Sequence, residues 1–351
     1  MHLYDNDLYK EDINAICNLS LPWEKLKGKS VVLSGASGMI GSFLIDTLMS
    51  KNMDGLNCSI YAIGRSREKA EQRFTEYWGD EHFHFISHNI NVPFQSDEIP
   101  EGDYVFHLAS NTHPLQYSSD PIGTITTNII GLKNMLDLAE ALNSERIVFA
   151  SSNEIYGENR GDVELFEESY CGYIDSNTLR AGYPESKRCG EALCQAYRKQ
   201  KEMNIVIPRF TRTYGPTMLM SDTKAISQFI KKGIQGENIV LKSKGDQKYS
   251  YTYVADAVSG LLYILFLGKD GDAYNIADEA SDIALKDLAG IIAEYVNRKV
   301  VFEIPDAAEA IGYSKATKAL LDGGKLKELG WSPNYTIERG IQRTIDILAK
   351  G

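Results

Sequence analysis

The stretch that most constrains this 351-residue chain is Val31 to Gly41, VVLSGASGMIG. A short β-branched run, suited to a buried parallel strand over Val31 to Leu33, breaks into glycines at the spacing GxxGxxG. Gly35, Gly38 and Gly41 let the backbone turn tightly and come close to a pyrophosphate. The helix expected from about Met39 to Met49 then aims its N-terminal N–H groups at that anion. Alone, such spacing also describes a plain glycine turn. Placed between a strand and a helix it reads as a dinucleotide site formed by Gly35, Ser37, Gly38, Met39, Ile40 and Gly41.

The next segments build a sheet around this turn. SIYAI (59–63), HFHFIS within 82–88 and YVFHL (104–108) read as strands, and Ile147 to Ala150 begins another. Between them, residues 122–142 carry Ile125, Ile129, Leu132, Leu136 and Ala139 at helical spacing. The alternation β-α-β-α-β-α-β predicts an α/β fold, a Rossmann-type doubly wound parallel sheet. Asn89 and Ile90 after the third strand, and Leu108, Ala109 and Ser110 after the fourth, are expected beside the cofactor. The second strand ends in Gly64-Arg65-Ser66-Arg67. An acid there would hold the 2′-hydroxyl of NAD, whereas an arginine accommodates the 2′-phosphate of NADP, so the local residues lean towards NADP through Arg65. Arg65 stacked on adenine, or merely solvated, is the competing reading.

Composition narrows the function. A net charge of −11 is wrong for a sequence-independent polyanion binder, so no nucleic-acid partner is expected. No apolar run approaches the roughly 20 residues of a membrane span, and the N-terminus lacks a basic region followed by an apolar core. A cytoplasmic protein without a membrane partner is expected. Five cysteines with no CxxC pair argue against a disulfide framework or a zinc cluster. His82 and His84 have the spacing of a metal pair on a strand, but no Cys or carboxylate partner lies near them, and no metal is predicted.

The chemistry lies further along. The strand ending at Ala150 runs into Ser151-Ser152-Asn153-Glu154, and Tyr183-Pro184-Glu185-Ser186-Lys187 opens a helix. A tyrosine and a lysine at i and i+4 share a helix face, so an ammonium there can lower the phenol and let Tyr183 act as a base.

With these motifs the sequence resembles the extended short-chain dehydrogenase/reductases, the NAD(P)-dependent nucleotide-sugar epimerases, dehydratases and decarboxylases, over roughly residues 28–348. HLASNTHPLQYSSDPIGTITTNIIGLKNML (107–136), RAGYPESKR (180–188) and RTYGPTM (212–218) follow most closely the UDP-glucuronate decarboxylases. The resemblance implies NAD as cofactor and a nucleotide-sugar substrate. It assigns Tyr183 as the base for the sugar 4-hydroxyl, Lys187 to the nicotinamide ribose, Ser152 to the same hydroxyl and Glu154 to a place near the sugar. Asn153 and Arg180 are expected at the substrate. Asn153 stands where 4,6-dehydratases carry an aspartic acid, and an amide cannot protonate a leaving hydroxyl, so dehydration is disfavoured. Tyr249 stands where the family's arginine reaches a substrate anion. Lys248, or Arg212 where related decarboxylases have asparagine, is a candidate to restore that charge.

The expected activity is transient oxidation of the sugar 4-hydroxyl, with UDP-glucuronate decarboxylation leading and 4-epimerisation as the alternative. A binding protein without turnover is the remote third reading. The expected division is a nucleotide-binding domain of residues 1–207 with a return near 251–279, and a smaller substrate-binding lobe of 208–250 and 280–351. A homodimer is expected through the helices at 122–142 and at Tyr183, with Ile129, Leu136, Leu193 and Tyr197 in the contact.

Overall fold

The computed structural model describes residues 3–95, 97–112, 119–303 and 317–349; residues 113–118 of the 107–136 segment lie outside them. Among the described residues the strands run β1 (Ser30–Ser34), β2 (Ser59–Gly64), β3 (Phe83–Ser87), β4 (Tyr104–His107), β5 (Arg146–Phe149), β6 (Ser151–Ser152) and β7 (Ile205–Phe210). There follow β8 (Arg212–Tyr214), β9 (Ile239–Leu241), β10 (Lys248–Tyr253), β11 (Ala273–Ile276), β12 (Asp282–Ala284), β13 (Val300–Phe302) and β14 (Lys318–Ala319). The main sheet has the order β11-β7-β5-β4-β1-β2-β3, with β6 beside β7, and all its pairings are parallel.

Strand β1 is buried on both faces. Val31 and Leu33 join one apolar core and Val32 the other, which is why the run is continuously apolar rather than alternating. The order reverses between β1 and β4, so the loops after these two strands open a crevice at their carboxyl ends, the usual ligand position of such sheets.

Two expectations change. The crossover from β3 to β4 carries no helix among its described residues; Pro93 and Pro100 interrupt it, and Ile90 and Ile99 anchor it by burial. The 122–142 segment is not one regular helix. An α-helical piece (Pro121–Thr126), a π-helical turn (Thr127–Gly131) and a second α-helical piece (Leu132–Ala141) follow one another. Leu136 faces the core at 0% exposure, so it does not lie on the outer face assigned to a dimer contact.

The remaining elements lie close to expectation. The glycine-turn helix is Met39–Met53, the catalytic helix Gly182–Lys201, and a buried helix Val254–Leu267 follows β10. An amphipathic helix, Ala225–Ile234, follows β8, and Asp222 holds the turn before it by accepting from the Lys224 N–H at 2.8 Å. Strands β12, β10 and β14 form a second sheet in which β8 also pairs with β10, and β13 pairs with β9. The N-terminal helix Asp7–Cys17 buries Tyr9, Ile13 and Ile16. Its Asp12 accepts hydrogen bonds from Tyr253 (2.5 Å) and Tyr335 (2.6 Å) and pairs with Arg343 at 2.7 Å. Asp256 ties the chain before the last helix by accepting from the backbone of Asn334 (2.8 Å) and Tyr335 (3.0 Å).

Candidate active site

The glycine turn is built for close approach. Gly35 has φ +77°, and a Cβ there would stand 2.7 Å from the Ala109 backbone nitrogen; at Gly41 a Cβ would stand 2.4 Å from the Gly35 carbonyl oxygen. Only glycine fits either position. Gly38 caps the 15-residue helix Met39–Met53 with no side-chain bond to its first N–H groups. A bare helix N-terminus behind a glycine cradle is suited to a pyrophosphate, so the residues fit a dinucleotide.

The other expected cofactor contacts surround this cradle unevenly. Leu108 donates its N–H to the Ser34 carbonyl at 3.2 Å, which holds the β4 loop against the end of β1. Ser37 lies near the end of β2, since a Cβ on Gly64 would stand 3.9 Å from its Oγ. Arg65 is exposed, while the Arg67 guanidinium sits 5.1 Å from the Trp78 ring centre. Asn89 is exposed and accepts from the Asn91 N–H at 3.2 Å, whereas Ile90 is buried. The histidines near β3 stack on aromatic rings: His84 on Tyr61 and His88 on Phe94. No group of three His, Cys, Asp or Glu side chains is placed to hold a metal ion among the described residues.

The reactive groups converge at the carboxyl ends of β4 and β6. Tyr183 is 6% exposed and hydrogen-bonds with Ser152 and Ser110. Lys187, one turn on, donates to the Ala150 carbonyl at 2.8 Å, and its Nζ lies 6.0 Å from the centre of the Tyr183 ring. Burial pushes the Tyr183 phenol up to about 12 against the lowering by its bonds to Ser152 and Ser110. Burial also pulls the Lys187 amine down to about 7. Desolvation thus opposes the positive charge expected on Lys187 beside the phenol, so that charge is held only near and below neutrality.

Glu154 and Arg180 meet at the mouth of the site, with Arg180 Nη2 at 2.7 and 2.8 Å from the two carboxylate oxygens. Asn153 is buried with its Oδ1 3.4 Å from Ser152 Oγ. On the far side of the site, β8 and β10 lie side by side. Arg212 places its guanidinium 3.5 Å from the centre of the buried Tyr249 ring, and Lys248 is exposed.

Several buried polar groups had no motif to announce them. Ser110 donates to Asn128 at 2.7 Å, Asn128 to Ser186 at 2.8 Å, and Ser186 to the Tyr183 carbonyl at 2.8 Å. Asn128 lies in the π-helical turn, and such turns frequently occur at functional sites. His107 is fully buried beside Ser34 (2.8 Å), and burial lowers it to about 3, so it is neutral. Arg209 binds Glu191 in a two-point ion pair (3.0 and 2.7 Å), and Glu191 accepts from Ser151 at 2.6 Å. This fixes the catalytic helix against β6 and β7.

The profile of the NAD dependent epimerase/dehydratase family matches residues 31–277. UDP-glucuronic acid decarboxylase 1 of Xenopus tropicalis is 33% identical over 326 residues, 92% of this chain and 72% of that protein. UDP-glucuronic acid decarboxylase 3 of Arabidopsis thaliana is 31% identical over 312 residues, 89% of this chain and 86% of that protein. Among solved structures, UDP-glucose 4-epimerase of Thermotoga maritima with UDP-glucose superposes with a TM-score of 0.79 at 22% identity, covering 92% of this chain and 99% of that one. UDP-glucuronic acid 4-epimerase of Bacillus cereus, in complex with UDP-glucuronic acid and NAD, gives 0.78 at 20% identity, covering 92% and 99%. These two likenesses establish the fold. The glycine cradle, the Tyr183–Lys187 helix and the family match together make this chain a member of the NAD dependent epimerase/dehydratase family, an NAD(P)-binding enzyme of the extended short-chain dehydrogenase/reductase type.

Proposed function

We propose that this enzyme decarboxylates a nucleotide-linked uronic acid, in the first instance UDP-glucuronate, through transient oxidation of the sugar 4-hydroxyl. The observation that carries the reading is the convergence of Ser152, Tyr183 and Lys187 on one crevice, with the Glu154–Arg180 pair at its mouth and an amide, not an acid, at Asn153. The relatives that cover most of this chain bear the name UDP-glucuronic acid decarboxylase.

Bound NAD(P) supplies the hydride acceptor for the 4-carbon and the donor for its return. Everything else is the chain's. Tyr183 takes the 4-hydroxyl proton, with Ser152 holding the same oxygen. To do so the phenol must come down from about 12, and protonated Lys187 is the cation placed to lower it. The 4-ketone is β to the sugar carboxylate, so the bond to that carboxyl carbon breaks, its electron pair passes into the enolate and carbon dioxide leaves. A solvent proton then adds at the 5-carbon, and return of hydride to the 4-carbon with the proton held by Tyr183 restores the alcohol and the base. No acid at position 153 is required, whereas expulsion of a hydroxyl would need one. Arg180 offsets the repulsion between Glu154 and an incoming carboxylate.

The nucleotide side holds residues 1–207 with the return near 251–279, and the segments 208–250 and 280–351 form the substrate lobe. Both contribute to one continuous core that contains Val31, Phe43, Tyr253 and Trp331. Arg65, exposed after β2 with no acid at Gly64, supports binding of NADP at least as well as NAD. A homodimer would use Ile129, Leu193 and Tyr197 together with Ile122, Ile130 and Leu179, which are 76, 43 and 71% exposed, and not Leu136. No described helix is long and apolar enough to cross a membrane, and all five cysteines are free.

The test is incubation with NAD and a panel of UDP-, dTDP-, GDP- and CDP-sugars that includes UDP-glucuronate, read by mass. A product lighter by one carbon dioxide is expected. An isomer of unchanged mass would instead establish 4-epimerisation, and loss of one water would establish dehydration.

A further inference from the structure

We infer that Arg212, held over the Tyr249 ring, is the group that grips the diphosphate of the nucleotide-linked substrate, and that Tyr249 serves as its positioning platform. This rests on the nucleotide-sugar reading above and assigns which residue supplies its anion contact.

Three observations converge on the assignment. The Arg212 guanidinium lies 3.5 Å from the Tyr249 ring centre, and Tyr249 is 6% exposed, so the cation is seated over a buried ring. Its Nη1 is buried and has no hydrogen-bond partner, and no carboxylate pairs with Arg212 among the described residues. A buried guanidinium donor without an acceptor is costly until one reaches it. The cation is placed by the sheet: Phe210 pairs with Ser152 across β7 and β6, and Arg212 follows two residues later at the start of β8. The cation therefore stands just beyond the carboxyl end of β7, at the end of the sheet where Ser152 lies. That is where the linker of a sugar held at Ser152 and Tyr183 has to pass.

Lys248 does not fill this role. Along β10 the side chains alternate, and Tyr249 and Tyr251 share the face that carries Arg212. Lys248 shares the opposite face with Ser250, whose Oγ donates to Asp282 at 2.5 Å and accepts from the Leu321 N–H at 3.0 Å. A lysine is also a point charge without the two-pronged geometry that suits a phosphate.

The experiment titrates UDP, GDP and dTDP into the NAD-loaded protein by calorimetry and repeats the tightest of the three with variants. Arg212→Ala is expected to weaken it about 10- to 100-fold, the weight of a charge-assisted two-point contact. Tyr249→Leu, which removes the platform and keeps the cation, is expected to weaken it about 3- to 10-fold. NAD affinity stays at the parental value in both, which shows that the fold is intact. Parental nucleotide affinity in Arg212→Ala, or an equal loss in Lys248→Ala, overturns the assignment. So does a loss confined to UDP-glucuronate with UDP unaffected, because the contact is then to the carboxylate. If the parent binds none of the three nucleotides, the nucleotide-sugar reading itself falls.

Discussion

Lys187 offers the sharpest test of how the site trades stability for chemistry, because the group that the reaction needs as a cation is buried where desolvation opposes its charge. Bringing it from 10.5 to about 7 corresponds to about 5 kcal/mol, at about 1.4 kcal/mol per tenfold. Methionine fills similar space without charge but leaves the Ala150 carbonyl without its 2.8 Å donor, a loss of about 1–2 kcal/mol. Lys187→Met should therefore stabilise the cofactor-free protein by about 2–4 kcal/mol at low pH while abolishing turnover. The sign follows from proton uptake. Between 7 and 10.5 the unfolded chain binds the proton and the folded chain does not, so the parent gains stability as pH rises through that window. Below 7 both states are protonated and the parent bears the full penalty. The assay is thermal unfolding of parent and variant without cofactor from pH 6 to pH 10. The variant's advantage should be greatest at pH 6 and should shrink steadily above pH 7. A gap that does not change with pH, or a parent that melts higher at pH 6, refutes the reasoning.

Other perturbations test separate parts of the site. Gly41→Ala puts a Cβ 2.4 Å from the Gly35 carbonyl oxygen and should weaken NAD(P) binding by at least about tenfold in a fluorescence titration. Gly64→Asp should shift preference from NADP towards NAD, although its Cβ meets the Phe85 ring at 3.1 Å and that ring must yield; a strong NAD preference in the parent would remove the Arg65 assignment. Burial raises the Asp256 carboxyl from 3.8 to about 7, so ionisation opposes folding and stability from this group falls as pH rises between those values. The melting difference between Asp256→Asn and the parent should therefore move in the variant's favour across that range. Light scattering at micromolar concentration should report a dimer, and Ile122→Glu should convert it to a monomer.

What could be read from the chain was mostly local. The glycine turn, the apolar strands and the tyrosine–lysine spacing each lie within a dozen residues, where sterics and periodicity act directly. What escaped depends on distant segments meeting. The π-helical turn that points Asn128 at Ser186 leaves no periodic trace different from an ordinary helix. Leu136 has the same spacing whether its stripe faces the core or a partner, and only the sheet beneath it decides. The stacking of Arg212 on Tyr249 requires β8 and β10 to pair across some 40 intervening residues. Lys187 was legible as a charge, but the lowering of its amine by desolvation was not, since desolvation belongs to the assembled fold.

The central claim is that carbon dioxide leaves only after the sugar 4-hydroxyl has been oxidised by the bound cofactor with Tyr183 as base. It is tested most directly with UDP-glucuronate carrying deuterium at the sugar 4-carbon, mixed with the NAD-loaded enzyme and quenched during turnover. Deuterium should appear on the reduced cofactor in step with release of carbon dioxide, and Tyr183→Phe should slow both by about 10²- to 10⁴-fold. Carbon dioxide released while the cofactor stays free of deuterium, or at the parental rate in Tyr183→Phe, would contradict the account.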